Sequence, residues 1–211
     1  NFHILEAPNN DIAVDSLVGL STGCGYTDSN SIQMRITNRG ILPQSNVPVY
    51  YTVNGTASPV ETIASTINPG ATLLYTFNTP ADLSNPQQYT IIGYADLATD
   101  EDTTNDASQA NIFSSLFTPE VQSVTDGETC ESGPVTLEMT SNGDTDQWYS
   151  SQFGGTPVGT GSTFTIPNVT EDTTLWVQTV MNATGCSSAS ASGRIAVTAF
   201  HSTTPIINFS F

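Results

Sequence analysis

Acidic residues are concentrated in one short segment that could bind a cation. Between residues 96 and 106 the chain carries five carboxylates and one amide. Ca²⁺ binds in proteins through several hard oxygens of this kind, gathered around one point. The spacing is not that of an EF-hand, so the alternative is a solvated acidic hairpin. The candidate ligands for a Ca²⁺ ion are Asp96, Asp100, Glu101, Asp102, Asn105 and Asp106.

Three cysteines could form a disulfide, namely Cys24, Cys130 and Cys186. Cys130 and Cys186 lie in the same half of the chain, and a small β-domain in an oxidising compartment gains stability from such a cross-link. We therefore predict a disulfide between Cys130 and Cys186, with two buried free thiols as the alternative. Cys24 has no partner in its own half and is predicted to be a buried thiol.

Catalytic chemistry has few residues to use. The two histidines, His3 and His201, lie in the terminal segments, whereas a Ser-His-Asp or Cys-His site needs a histidine inside the folded body. Neither a G-x-S-x-G elbow nor an H-E-x-x-H zinc motif occurs in the sequence. We predict that these residues include no catalytic site.

The charge balance excludes several classes of partner. Twenty acidic residues stand against three basic ones, and the formal net charge is −17. Binding to nucleic acid requires Lys and Arg that replace counterions, and binding to an anionic bilayer requires the same. We therefore expect neither partner, and no segment reaches the ~20 apolar residues that a membrane-spanning helix needs. The simplest reading of the acidity is solubility.

The elements that would position these residues are β-strands, because apolar and polar residues alternate along most of the chain. Seven strands are predicted before residue 118, and Ile12, Val14 and Ser16 are predicted to share one face of the first. Asn54-Gly55 predicts a tight hairpin. Seven short strands separated by turns indicate an immunoglobulin-like β-sandwich.

A second and smaller set of strands follows Thr118-Pro119, with Trp148 predicted in its core. The sequence thus predicts an all-β chain of two tandem immunoglobulin-like sandwiches, at residues 8–117 and 118–200. Residues 1–7 are predicted to be the tail of a preceding module, and 201–211 the start of a following segment. A short joint that contains proline predicts a semi-rigid connection.

Several longer motifs resemble a known kind of protein. The stretches DIAVDSLVGLSTGCGYTDSNSIQMRITNRG, VPVYYTVNG, INPGATLLYTF and YTIIGYADLATDEDTTND resemble the CARDB-like modules of Bacteroidota cell-surface proteins. The second half, above all WYSSQFGGTPVGTGSTFTIP, resembles the Ig-like repeat that often follows in the same proteins. Together the two resemblances cover about residues 8 to 200.

This resemblance implies a large multidomain protein exported by type IX secretion, with these residues as non-catalytic spacer modules in adhesion or gliding motility at the bacterial cell surface. Their partners would then be neighbouring β-modules of the same chain. One alternative is an adhesive module that binds surface glycans or a protein partner, through Tyr26, Tyr50, Tyr51, Tyr94 and Phe153. Another is an accessory domain of a secreted protease or polysaccharide-degrading enzyme. Three short motifs resemble the O-glycosylation pattern of exported Bacteroidota proteins, and their acceptor hydroxyls are Ser16, Thr103 and Thr173.

Overall fold

A computed structural model describes residues 7–189 and 193–203 of the chain. Of the predicted flanking segments, residues 1–6 and 204–211 lie outside the described residues. The chain divides into two compact units, the first ending at Leu116 and the second beginning at Phe117. Each unit is described by itself.

The first unit contains eight strands arranged in two antiparallel sheets. In chain order they are β1 (Ile12–Val18), β2 (Gln33–Asn38), β3 (Val47–Val53), β4 (Thr56–Ala57), β5 (Glu61–Ile63), β6 (Thr72–Thr76), β7 (Gln88–Ala95) and β8 (Asn111–Ser114). One sheet has the order β1-β2-β6, and the other has the order β4-β3-β7-β8, with β5 also paired to β3. Asn54 and Gly55 both have positive φ in the β3–β4 hairpin, as predicted.

The core of the first unit is built by alternation along these strands. Met34 and Ile36 of β2 are fully buried and face Val49 and Ile91 from the other sheet. The prediction for β1 is wrong in detail, because a bulge lies between Val14 and Ser16. The extra residue changes which side chains point inward, so that Leu17 is buried and Ser16 only half-buried.

The second unit also contains eight strands in two sheets. They are β9 (Val121–Thr125), β10 (Gly127–Cys130), β11 (Gly133–Ser141), β12 (Thr145–Tyr149), β13 (Gly159–Thr160), β14 (Thr163–Val169), β15 (Thr173–Val180) and β16 (Ile195–Ser202). One sheet has the order β14-β11-β9, and the other has the order β10-β16-β15-β12-β13. All of these pairs are antiparallel except β10 with β16, which is parallel.

Trp148 lies at the centre of the second core, as predicted, with no exposed surface. Its indole N–H donates to the carbonyl of Gly161 at 2.7 Å, so the one polar atom of the ring is satisfied. Leu137 and Val177 from the two facing sheets pack in the same core. Every regular element in the described residues is a β-strand, and the predicted fold class of two tandem immunoglobulin-like sandwiches is confirmed.

Candidate functional site

The acidic segment at residues 96–106 connects β7 to β8 and is fastened to both sheets of the first unit. The Asn105 carbonyl accepts the backbone N–H of Val14 in β1 at 2.9 Å, and the Asp106 carbonyl accepts that of Ala95 in β7 at 2.9 Å. The segment therefore crosses from one sheet to the other, and its backbone is held in place. A side chain carried by Asn105 or Asp106 is positioned by these bonds.

Most of the carboxylates in this segment already accept hydrogen bonds. Asp100 Oδ2 accepts the backbone N–H of Ile12 at 2.7 Å, and its Oδ1 accepts that of Asp102 at 2.9 Å. Asp102 Oδ1 accepts both the backbone N–H and the hydroxyl of Thr104, and these bonds lower the pKa of Asp102. These bonds fold the segment into a turn and tie it to the start of β1.

Two side-chain oxygens of the segment are different, because they are buried and have no partner. They are Asn105 Oδ1 and Asp106 Oδ1. The amide nitrogen of Asn105 is used, since it donates to Asp11 Oδ1 at 3.0 Å. Asp11 is itself 4% exposed. Leaving a buried acceptor unpaired costs about 1–3 kcal/mol, so native proteins rarely do so.

The electrostatic surroundings of Asp106 are strongly negative. Burial raises the pKa of this carboxyl, and the neighbouring charges of Asp100, Asp11, Asp102 and Asp96 raise it further, to about 6. Repulsion between like charges in a poorly solvated place disfavours ionisation. In the part of the chain that the structure describes, no three Asp, Glu, His or Cys side chains are already arranged to hold a metal ion.

The structure thus brings together part of the predicted ligand set. Asp100, Asp102, Asn105 and Asp106 gather at the start of β1, and Asp96 is exposed but within reach of the charge of Asp106. Glu101 turns to the surface instead, where its carboxylate accepts the backbone and side-chain N–H groups of Asn9.

One member of this cluster was missed by sequence reasoning. Asp11 precedes the first strand and is 94 residues distant from Asn105, with which it forms a hydrogen bond. The available signal was that Asp11 stands directly before a run of apolar residues in β1. That signal places it at the start of a strand but does not place it beside residue 105.

The predicted disulfide between Cys130 and Cys186 is wrong, because Cys130 is an exposed free thiol. Cys130 in β10 pairs with Ser202 of β16, three residues past Ala199, which pairs with Thr173 at the start of β15. Ser187, the residue after Cys186, pairs with Val180 at the other end of β15. An eight-residue strand separates two such positions by roughly 23 Å, while the Cα atoms of a disulfide lie within about 7 Å.

The prediction for Cys24 is also wrong, since this residue is exposed rather than buried. Cys24 and Cys186 are both disulfide-bonded, so neither is a free thiol. The disulfide was predicted between Cys130 and Cys186 because both lie in the same half of the chain. The strands place these two residues too far apart to be bonded.

The three predicted O-glycosylation hydroxyls lie in different settings. Thr103 is exposed in the acidic segment, while Ser16 is half-buried in β1. The hydroxyl of Thr173, at the start of β15, donates to the carbonyl of Glu171 at 3.1 Å. On accessibility, Thr103 is the most favourable acceptor of the three, and its modification stays a prediction.

The aromatic residues predicted for adhesion do not form one surface. Tyr51 is 2% exposed and belongs to the core, and Tyr26 packs against Phe113. Tyr50 and Tyr94 stack on each other, with ring centroids 4.8 Å apart.

A separate groove of about 420 Å³ lies in the first unit, and polar side chains form much of its wall. Its lining includes Asn54, Ser58, Asp82, Asn85 and Gln87. Amide, hydroxyl and carboxylate groups of this kind match the hydroxyl groups of a sugar.

Of the two histidines, only His201 lies in the part of the chain that the structure describes. His201 lies in β16, and its backbone N–H donates to Asp172 Oδ1 at 2.8 Å. His3 lies outside the described residues.

Comparison with known proteins finds similarity in the second unit. Residues 118–199 match the family described as "Ig-like domain CHU_C associated", which is less than half of the chain. No curated protein matches the sequence.

Among solved structures, the chain is similar to a CARDB domain from Pyrococcus furiosus, with 18% identity and a TM-score of 0.41, over 52% of this chain and 97% of that one. It is also similar to the fibronectin(III)-like modules of Clostridium thermocellum CbhA, with 13% identity and a TM-score of 0.35, over 95% of this chain and 98% of that one. The fold of the chain rests on the strand order and pairing described above.

Proposed function

We propose that this chain is a pair of non-catalytic spacer modules in a secreted cell-surface protein that acts in adhesion or gliding. The observation that carries the proposal is that each unit has its own core and its own two sheets. Units of this kind fold as separate modules and can be repeated along a chain without a shared active site. Neighbouring β-modules of the same chain are the expected partners.

The use of polar side chains supports a structural role. In the first unit, the Glu61 carboxylate accepts hydrogen bonds from Tyr75, Asn78 and Thr79, which closes the loop after β6. In the second unit, Arg194 donates to the carbonyls of Ser151 and Gly154. Residues with strong hydrogen-bonding capacity are thus engaged in holding loops to strands.

An extracellular location is part of the same proposal. Cys24 and Cys186 are both disulfide-bonded, which favours an oxidising compartment. The surface relies on Thr, Ser, Asn and Gln together with a large acidic excess, and this keeps secreted modules apart in solution. Among the described residues, no helix has the length and apolar character to cross a membrane.

Single-molecule force spectroscopy tests the spacer proposal. The chain, stretched between its ends with its cysteines reduced, should show two separate unfolding events. The first unit has 116 residues and the second has the remaining 95. At ~3.6 Å per residue, the two events should release roughly 40 and 30 nm of chain. A single combined event, or extension without resolved events, would count against two independent spacer modules.

The polar groove of the first unit favours glycan binding as a second candidate function. An array of neutral and acidic glycans, probed with the chain and with a Gln87→Ala, Asn85→Ala double variant, tests it. Binding that the double variant loses would assign the groove as a glycan site. If the unmodified chain binds no glycan on the array, this candidate function is excluded and the spacer proposal is unaffected.

A further inference from the structure

The groove of about 420 Å³ in the first unit is bounded by two chain segments that the fold holds in place. One is the β3–β4 hairpin, and the other is the connection from β6 to β7. The hydroxyl of Tyr51 donates to the carbonyl of Thr79 at 3.0 Å, which ties β3 to the start of this connection. The hydroxyl of Tyr89 donates to the carbonyl of Asn85 at 3.2 Å, near its end. The walls of the groove are therefore formed before any ligand binds.

The lining of the groove combines apolar and polar groups, as small-molecule sites do. Such sites have volumes of about 300–1,000 Å³, and the volume of this groove falls within that range. A sugar ring presents C–H groups on its faces and hydroxyls at its edge, so it matches a lining of both kinds. The apolar part of the lining comes from Tyr51, Val53, Ala57, Pro80 and Tyr89.

Side-chain amides in the groove carry hydrogen-bonding groups that the protein does not use. Asn54 Oδ1 accepts the backbone N–H of Thr90 at 2.8 Å, so this amide is held in one orientation. Its Nδ2 has no hydrogen-bond partner in the part of the chain that the structure describes, and neither do the side-chain amides of Asn85 and Gln87. The nitrogen of each amide can donate to a sugar hydroxyl.

The charge of the groove comes from one carboxylate. Among the described residues that line it, Asp82 is the only charged one, and no arginine is present. Ser84 donates its hydroxyl at 2.6 Å and its backbone N–H at 3.0 Å to Asp82 Oδ1, and these bonds lower the pKa of Asp82. Asp82 Oδ2 makes no hydrogen bond within the described residues. An ionised oxygen accepts a hydroxyl more strongly than a neutral one does, and it repels a carboxylate.

We propose, on the basis of the second candidate function, that this groove binds neutral glycans and discriminates against glycans that carry carboxylates. Asp82 Oδ2 accepts a hydrogen bond from a sugar hydroxyl, and Asn54 Nδ2 donates one to a sugar hydroxyl. The net charge of −17 acts in the same direction, because the whole chain repels polyanions. A cationic ligand suits the groove less well, since one exposed carboxylate binds a cation weakly and leaves the amides unused.

Matched pairs of glycans test this selectivity on the whole chain. Isothermal titration at pH 7 compares cellohexaose, laminarihexaose and mannohexaose, each with its C6-oxidised uronate form. A neutral hexasaccharide should bind, and its uronate form should bind at least about tenfold more weakly, because like charges placed together across an interface are costly.

Two nearly isosteric variants test the assigned residues. Asp82→Asn replaces a charged acceptor with a neutral one, so it should weaken binding of the neutral glycan about tenfold. It should also reduce the preference for the neutral form to under about threefold. Asn54→Asp keeps an acceptor for the N–H of Thr90 but removes the donor, so it should abolish binding.

Glu138→Gln is the matched control, since it removes one charge from an exposed position in the second unit and should bind as the unmodified chain does. Circular dichroism in urea checks that each variant stays folded.

The outcomes separate this selectivity from the candidate function itself. If no hexasaccharide binds and the glycan array gives no signal, glycan binding by the groove is overturned, and its selectivity with it. If a glycan binds but its uronate form binds equally well, only the selectivity is overturned. Unchanged affinities in Asp82→Asn, or retained binding in Asn54→Asp, would overturn the assignment of these residues while the chain still binds glycans.

Discussion

Glu61 offers a direct test of how this fold is held together, because one carboxylate closes a loop of the first unit. Its Oε2 accepts the Tyr75 hydroxyl at 2.7 Å and the backbone N–H of Asn78 at 3.0 Å, and its Oε1 accepts the backbone N–H of Thr79 at 2.8 Å. Glu61 lies in β5, which pairs with β3, whereas Tyr75 lies in β6 of the other sheet. The carboxylate therefore links the two sheets.

These bonds change the pKa of both partners. Burial alone would raise the pKa of Glu61, but the hydrogen bonds from Asn78, Thr79 and Tyr75 outweigh it and lower the pKa from 4.5 to about 2. Burial and the hydrogen bond to Glu61 raise the pKa of Tyr75 to about 12. Because the folded-state pKa of Glu61 lies below the unfolded value, its contribution is present above about pH 4.5 and is lost as the pH falls toward 2.

The size of the effect follows from that difference. At 1.36 kcal/mol for each pH unit between 4.5 and about 2, the limit is about 3 kcal/mol. Glu61 is partly exposed, so solvent screening reduces this to roughly 2 kcal/mol. We expect Glu61→Gln to lower the free energy of unfolding of the first unit by roughly that amount at pH 7. The difference should fall to under about half by pH 3.

The assay must separate the two units, because unfolding of the whole chain need not be two-state. Hydrogen exchange by mass spectrometry at increasing urea gives the free energy of opening for peptides of each unit. Both tryptophans, Trp148 and Trp176, lie in the second unit, so tryptophan fluorescence provides an internal control that should not change. Glu138→Gln, at an exposed position of β11, is the matched charge control. A difference under about 0.5 kcal/mol at pH 7, or an equal difference at pH 3 and pH 7, would refute this reasoning.

Three further predictions follow from packing and cysteine state. Gly93→Ala places a Cβ atom 2.6 Å from Met34 Sδ, so we expect the free energy of unfolding of the first unit to fall by about 1–3 kcal/mol. Hydrogen exchange in urea that matches the unmodified chain would contradict this prediction. Trp148→Phe removes the hydrogen bond to Gly161 and opens a cavity, so the free energy of unfolding of the second unit should fall by about 2–4 kcal/mol. A lower urea midpoint, measured by circular dichroism, would show this loss. Cys130 should react with one equivalent of a thiol reagent in the native, unreduced chain, and peptide mapping that finds the label elsewhere would refute the assignment.

The sequence predicted the features that depend on local pattern and missed those that depend on distant pairing. Alternation along β2 and β11 is a property of neighbouring residues, so their buried faces were predictable. The strand β10 was missed because it is short and pairs in parallel with β16, at the far end of the unit. The bulge after Val14 was missed because an inserted residue leaves no mark in the composition of the strand.

The candidate site divides in the same way. Asp100, Asn105 and Asp106 were predicted together as ligands because they lie within a few residues of one another, and their binding of Ca²⁺ stays a prediction. Asp11 was missed because its place depends on the pairing of the first strand. The error over Cys130 has this cause too, since the sequence distance to Cys186 does not reveal that the two residues lie at opposite ends of one sheet.

The acidity of the chain has a structural use in addition to solubility. Carboxylates accept backbone N–H groups in both units: Asp126 binds that of Thr198, Asp144 that of Asn182, and Asp172 that of His201. In the first unit the same use is made of Glu61, Asp82, Asp100, Glu101 and Asp102.

Bonds of this kind need no basic partner, because the donor is the backbone itself, and a charged acceptor makes them stronger than neutral bonds. A chain with three basic residues can therefore hold many of its strand ends and turns with acidic ones. Hydrogen bonds hold the pKa values of Glu61, Asp82 and Asp102 below their usual range, so the stability that these three acceptors give the first unit is lost as the pH falls through those lowered values.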